Sequence, residues 1–369
     1  MKVKDICSYI DKVVPVSFQE SYDNSGLQAG DPDRVIESAL LAIDMTEEVL
    51  EEAIEKNCGL IITHHPLLFH PLKQITGKTL SERIIIKAVR NNISIYSVHT
   101  NLDVVWNGVS FKMAEKLSLE EVRPLIYLKN RLLKLITYVP PSHIEKVRDA
   151  VFSAGAGVIG NYDRCSFNVE GTGTFRGNEK SDPFVGEAGK LHFEKEVRFE
   201  TVLLSHLKDV VIEALLGSHP YEEVAYDLYP LENEYLMAGS GCIGTLPEQT
   251  SEKDFLDILS DVFNSRGVRY SKLLNKKIQK VALCGGAGIG FLGEAIRSGA
   301  DAFVTGDIKY HDFFRADGRI LLVDIGHYES EKFTTEILYH LITKKFPKFA
   351  LRFSERNTNP INYLLKWKK

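Results

Sequence analysis

Residues 59–66 read GLIITHHP and residues 93–103 read ISIYSVHTNLD. In each, a short run of apolar and β-branched residues ends abruptly in histidine. Gly59 to Thr63 and Ile93 to Val98 are therefore expected as buried strands, with chemically active side chains at their carboxyl ends. Between them, Ser81 to Asn91 has helical periodicity and closes on an Asn-Asn pair. A strand, a helix and a strand at this spacing make a parallel pair with the helix on one face.

The same grammar extends outward. Upstream, Asp5 to Val14 reads as a short amphipathic helix and Ser38 to Ile43 (SALLAI) as a buried strand. Thr46 then caps a helix reaching about Lys56, with Glu47 and Glu48 at its positive end. Downstream, a helix is expected from about Gly108 to Leu117. The last third repeats the pattern, with strands at Lys280 to Cys284 (KVALC), Ala302 to Thr305 (AFVT) and Arg319 to Ile325 (RILLVDI). A helix is expected over Phe291 to Ser298 and one long helix from about Tyr328 to Lys344. Lys348 to Phe353 would add a terminal strand.

The middle of the chain reads differently. Leu133 to Val139 is a strand pattern and Pro141 to Ser153 a helix with proline in its first turn. Asp163 to Val169 and Gly171 to Arg176 suggest a hairpin. Arg198 to Leu204, His206 to Leu216 and Val224 to Leu231 then read as strand, helix and strand. Two successive βαβ units point to a ferredoxin-like α+β arrangement. The segment from Gly177 to Glu196 (GNEKSDPFVGEAGKLHFEKE) is long for a plain connector, and loops of that size are usually functional or mobile. The expected organisation is an α/β domain, discontinuous in sequence (1–125 and 233–369), with an α+β domain inserted at 126–232.

Length and composition agree. At about 150 residues per domain, 369 residues make roughly two or three domains. The hydrophobic fraction is 44% and the charged fraction 26%, which excludes a disordered or collagen-like chain. A net charge of -5 argues against broad nucleic-acid binding. The five cysteines are scattered and form no CxxC pair, which argues against a disulfide scaffold and fits a reducing compartment. The first residues carry Asp5 and Asp11 where a signal peptide needs an apolar stretch, and no run reaches the ~20 apolar residues of a membrane helix. A cytoplasmic, non-membrane protein is expected.

In open α/β sheets, ligands bind beyond the carboxyl ends of the strands. At those ends lie His64 and His65, then His99 with Asp103, then Asp307 with His311, then His327 with Glu331. His327 and Glu331 are four apart at a helix start and project from one face. Adjacent His64 and His65 cannot point the same way from an extended strand, but where the chain breaks at Pro66 they can serve two different ions. Imidazole with carboxylate suits zinc, iron or manganese better than calcium. Five donors from separate segments (His64, His65, Asp103, His327, Glu331) exceed the needs of one catalytic zinc, so a pair of divalent ions, zinc first, is expected. His70, His143, His192, His206 and His340 lack that context and read as structural or surface groups. Cys284 to Gly290 (CGGAGIG) either cradles a phosphate or makes a tight strand-to-helix turn. Tyr22 to Asp31 (YDNSGLQAGD) is either a turn or a substrate-binding loop.

Taken together, YDNSGLQAGD, THHPLLFHPLK, HTNLD, TGDIKYHD and GHYESE resemble the Nif-three-like family, often labelled GTP cyclohydrolase I type 2 homologues. The resemblance covers nearly the whole chain. It implies a two-lobed α/β fold with a di-metal site inside a ring-shaped homohexamer. Carried over by position, the family's metal ligands fall on His64, His65, Asp103, His327 and Glu331. The middle segment, ending in HPYEEVAYDLYPL, resembles the PII/CutA-like insert of longer members, whose domains form trimers.

Two functional readings follow. The first is a metal-dependent hydrolase acting on a nucleotide or phosphoester through a metal-activated water, with Asp307 or His311 as base or supporting group; GTP ring opening is one version of it. The second is a non-enzymatic metal-binding regulatory or metal-delivery protein, with the PII-like insert as sensor or assembly module.

Overall fold

The computed structural model describes residues 1–364, which divide into two compact units: 1–126 with 238–364, and 127–237. The first contains two sheets. In one, the strands run in the order Gly26–Ala29, Ser94–Ser97, Leu60–Thr63, Ser38–Ala42, Ala350–Phe353. All neighbours are parallel except the edge strand Gly26–Ala29. In the other, the order is Arg269–Tyr270, Leu321–Asp324, Ala302–Thr305, Lys277–Leu283, Tyr235–Ser251, Glu120–Leu128, with the second, third and fourth strands parallel.

Both parallel sheets are covered on both faces, which explains why their strands read as unbroken apolar runs. Leu40, Ile61 and Ile95 pack against Val49, Leu50, Ile84 and Ala88 of the helices Glu47–Glu55 and Leu80–Arg90. In the second sheet the period of two is explicit. Val281, Val304 and Val323 face the helices Val109–Lys116 and Glu252–Phe263, while Ala282, Phe303 and Leu322 face the helix Leu292–Arg297. The Thr46 cap is the one expected, accepting from the Val49 N–H, and Thr79 caps the next helix by accepting from the Glu82 N–H.

Two expectations are corrected. The long helix over Tyr328 to Lys344 is two helices, His327–Glu331 and Thr334–Lys345. Neither proline nor glycine breaks it. Lys332 donates from Nζ to the Phe263 carbonyl and Phe333 packs on the Phe263 ring, so tertiary contacts loosen the turn between them. The expected hairpin near residue 170 is one continuous strand, Ser166–Phe175, paired throughout with His192–Leu204. Gly171 and Gly173 lie within that pairing and make no turn.

The second unit has the element order β-α-β-β-α-β and a four-stranded antiparallel sheet. Its strands are ordered Ser166–Phe175, His192–Leu204, Leu132–Val139, Tyr226–Leu231. Leu135, Val139, Phe199 and Leu203 form its core with Val147, Val151, Val211 and Leu215 from the helices Ile144–Ser153 and Lys208–Ser218. No helix among the described residues is long and apolar enough to cross a membrane.

Removal of the inserted unit and titration of Glu82 both test this architecture. The strands Glu120–Leu128 and Tyr235–Ser251 are neighbours in one sheet, so a short Gly/Ser link in place of 129–231 spans a small gap. That variant should give a folded α/β unit with a cooperative melt; an unfolded product in circular dichroism would contradict it. The second concerns Glu82, which closes the segment after His65. Its carboxylate accepts from the Thr76 N–H and hydroxyl and from the Lys78 N–H, at 2.8, 2.9 and 3.0 Å. The backbone and side-chain bonds from Thr76, opposed by burial, bring its pKa down to about 2. Because the folded value lies below the unfolded one, this anchoring is complete above the ordinary carboxyl range of about 4.3 and is lost as the pH falls towards 2. Protection factors of the Thr76 and Lys78 amides, relative to intrinsic exchange at each pH, should fall over that window, and Glu82→Gln should show the lower protection already at neutral pH.

Candidate metal centre

The local chain path explains how two adjacent histidines reach one site. The strand Leu60–Thr63 ends at Thr63, and the N–H groups of His64 and His65 both donate to the Ile43 carbonyl, at 3.1 and 3.0 Å. The chain therefore curls instead of alternating, and the two rings lie 4.9 Å apart. His327 opens a helix at Gly326, and Glu331 follows one turn later on the same face. Asp103 projects from the short helix Thr100–Val104. The structure thus brings together all five residues expected from the sequence.

The donor atoms converge. Glu331 Oε2 lies 3.0 Å from both His65 Nε2 and His327 Nε2, and 3.7 Å from His64 Nε2. His64 Nε2 is in turn 3.7 Å from Asp103 Oδ1. His65 Nε2 and His327 Nε2 face each other at 3.2 Å. Three of these atoms, His64 Nε2, Asp103 Oδ1 and Glu331 Oε2, are sealed from solvent, and the polar atoms they approach are one another and the facing ring nitrogens. An unpartnered buried polar atom costs about 1–3 kcal/mol, more when charged. Three aimed into one space are poorly explained as hydrogen bonding but fit a shared cation. The residues present therefore suit a metal, and two triads have ligand spacing: His64 with Asp103 and Glu331, and His65 with His327 and Glu331.

Each ring is also held from behind. His64 Nδ1 donates to the Val98 carbonyl at 2.8 Å, His65 Nδ1 to Asp44 at 2.7 Å, and His327 Nδ1 to Asp307 at 2.7 Å. This fixes the tautomer that leaves Nε2 bare and directed inward, as in carboxylate–histidine–metal relays. A fourth such ring was placed at a strand end by the sequence but left out of the ligand set. His99 groups with His64 and His65, and its Nδ1 is 2.8 Å from Asp23. It follows the strand Ser94–Ser97 and so satisfied the same strand-end rule as its neighbours. Asp44 was missed as well, although it closes the SALLAID run. Its second oxygen accepts from the Thr358 hydroxyl at 2.6 Å, which ties the end of the described chain to the centre.

Electrostatics follow from the crowding. Burial opposes charge on His65 and His327, but their carboxylate partners outweigh it, raising His65 to about 9 and His327 to about 11. Burial, with Glu331 nearby, raises Asp103 to about 7, against the pull of His64. Glu331 resists its burial because His64, His327 and His65 surround it, and it stays well below the usual carboxylate range. Without a cation, protons hold these charges apart. Asp103 Oδ1 is sealed, yet the side chain as a whole is 27% exposed, and His327 is 31% exposed, so the centre opens on one side.

Other expected residues take supporting places. Asp307 is spent on His327 and orients it. His311 is exposed, and its described contacts are ring contacts with Tyr310 and Phe314. The CGGAGIG stretch is a tight turn: the Gly286 N–H donates to Ser330 Oγ and that of Gly288 to Thr305 Oγ1, leaving neither for a phosphate. Gly286 has φ +60°, and a Cβ there would stand 2.2 Å from Glu331 Oε1. The YDNSGLQAGD loop serves His99 through Asp23 and through Ser25 Oγ, which accepts from the His99 N–H.

Comparison with known proteins places the chain in a family. The model of a family described as Duf34/NIF3 (NGG1p interacting factor 3) matches residues 1–360. The Bacillus subtilis protein named GTP cyclohydrolase 1 type 2 homolog is 38% identical over 369 residues, spanning 98% of both chains. The protein of the same name from Halalkalibacterium halodurans is 42% identical over 316 residues, 85% of each chain. A solved structure, the Bacillus cereus protein related to NIF3, matches with a TM-score of 0.84 at 36% identity over 99% of both chains.

The glycine contact makes a specific prediction. Gly286→Ala should displace the Glu331 carboxylate and weaken metal uptake by about 10–100-fold, the usual scale for supporting residues, with the circular dichroism spectrum unchanged. Zinc uptake measured by competition with a chromophoric chelator checks it, and wild-type affinity in this variant would contradict the assignment of Glu331.

Proposed function

This chain belongs to the Duf34/NIF3 family, and on that footing we propose that it binds two divalent metal ions and hydrolyses a nucleotide or phosphoester. The observation that carries the reading is the convergence of three solvent-sealed donor atoms, His64 Nε2, Asp103 Oδ1 and Glu331 Oε2, on one space. In this proposal His64, Asp103 and Glu331 hold one ion, and His65, His327 and Glu331 hold the other. His99 is available to complete the first set. Zinc suits the donors best, with iron or manganese as alternatives. When bound, such a pair supplies Lewis acidity, lowering the pKa of water and drawing charge from a phosphoryl oxygen.

The chain's own residues have defined tasks in this reading. Asp44, Asp307 and Asp23 hold the rings of His65, His327 and His99 in the tautomer that leaves Nε2 free. The partly exposed side, bordered by Asp103 and His327, admits the substrate. His311 is assigned proton transfer and Asp307 the orientation of His327. The second unit is assigned as a ferredoxin-like, PII/CutA-like assembly domain, a reading supported by its β-α-β-β-α-β order. Its trimer contacts would build a homohexamer. A cytoplasmic location is supported by five free cysteines.

One observation favours the second reading, a non-enzymatic metal-binding or metal-delivery protein. Asp307 is committed to His327, and His311 points its described contacts at neighbouring rings. The experiment separates the two. Purified under anaerobic conditions and reconstituted, the protein should hold about two metal ions per chain by elemental analysis and cleave members of a nucleotide and phosphoester panel. His65→Ala and Asp103→Ala should abolish turnover, and Glu331→Ala should lose the most metal. His311→Ala should keep both ions and lower turnover by about 10²–10⁴-fold. Protein loaded with both ions that cleaves nothing in the panel would establish the regulatory reading in its place.

A further inference from the structure

Two sequence features take no part in the metal centre: the long segment after Arg176 and the HPYEE stretch at 219–223. In the second unit they meet at one cavity of about 460 Å³, within the range of small-molecule sites. The loop folds back so that Phe184 lies 6.1 Å from the Tyr221 ring, with Phe175 at 6.4 Å on another side. The Asp182 N–H donates to Glu222 Oε1 at 2.9 Å, which fastens the loop to the HPYEE stretch.

That stretch is itself held in place. His219 is 8% exposed; its Nε2 donates to the Tyr138 carbonyl at 3.0 Å, and its Nδ1 accepts from the Tyr221 N–H at 3.1 Å. Tyr221 donates its hydroxyl to Glu196 Oε1 at 2.9 Å, so the carboxylate is oriented at the wall. Gly173 leaves the space for it, since a Cβ there would come within 2.1 Å of Glu196 Oε2. Three carboxylates line the cavity (Glu196, Glu222, Glu223) against one cation, Arg176. Aromatic faces with excess negative charge attract a cation that carries apolar surface. A bare metal ion fits less well, because none of the metal-spaced groupings among the described residues includes these carboxylates.

We propose that this cavity binds a small organic cation of the alkyl- or arylammonium class, lined by Phe175, Phe184 and Tyr221 and neutralised by Glu196. The site is independent of the metal centre and of the reaction assigned to it.

The test uses the full chain with its metal content unchanged. Calorimetric titration with choline is compared with 3,3-dimethylbutan-1-ol, its neutral isostere, and with benzylammonium against benzyl alcohol. At least one cation should bind with Kd on the order of 1 mM or tighter, and at least about tenfold tighter than its neutral partner. Glu196→Gln, which keeps the shape and the Tyr221 bond, should weaken the cation about tenfold and leave the alcohol unchanged. Phe175→Leu, which keeps an apolar wall without a π face, should also weaken the cation, and both variants should retain the wild-type melting temperature. Equal binding of cation and alcohol, no binding of either cation, or full affinity in Glu196→Gln would each overturn the proposal.

Discussion

A single carboxylate organises the α/β unit. Glu331 is 3% exposed and surrounded by the Nε2 atoms of His64, His65 and His327. A buried carboxylate without compensation is strongly disfavoured, and here hydrogen bonds from neutral donors do not supply it. Positive charge does, whether as protons on His65 and His327 or as a bound cation. The requirement reaches outward from there. The turn after the strand Lys277–Leu283 needs glycine at 286 to clear the carboxylate, and the helix carrying Glu331 must start at His327 so that both side chains share a face.

Around that carboxylate the structure is layered by proton geometry. Each histidine offers Nε2 inward only because its Nδ1 is occupied by Val98, Asp44, Asp307 or Asp23. Those partners are anchored in turn. Asp44 is held by Thr358, and Asp23 also accepts from the Thr100 N–H at 3.0 Å. Distant stretches of chain are therefore committed to keeping a few Nε2 atoms aimed inward. A cation taken up by such donors would displace their protons.

The second unit follows a different logic. Its core is formed within a single sheet and its two helices, and its cavity owes nothing to histidine–carboxylate relays. The walls are rings and the charge is an excess of carboxylate, a combination that recognises by shape and sign, without coordination. One chain thus carries two chemically unlike sites on units with separate cores.

The strands and helices around the centre were legible in the sequence, because doubly covered parallel strands leave unbroken apolar runs and their carboxyl ends mark where ligands bind. That rule placed His64, His65, Asp103, His327 and Glu331 among a slightly larger set that also held His99, Asp307 and His311. The sequence also changes pattern near residues 125 and 232, which reads as an insertion. It did not reveal that His99 and Asp44 belong to the centre, since the role of a strand-end residue depends on where its ring or carboxylate is aimed. Nor did it decide between phosphate cradle and tight turn at CGGAGIG, which turned on whether Ser330 and Thr305 reach the Gly286 and Gly288 N–H groups. Periodicity records which face of an element is buried. Which donors meet across two sheets is set by the packing of residues hundreds of positions apart, and only the tertiary structure fixes that.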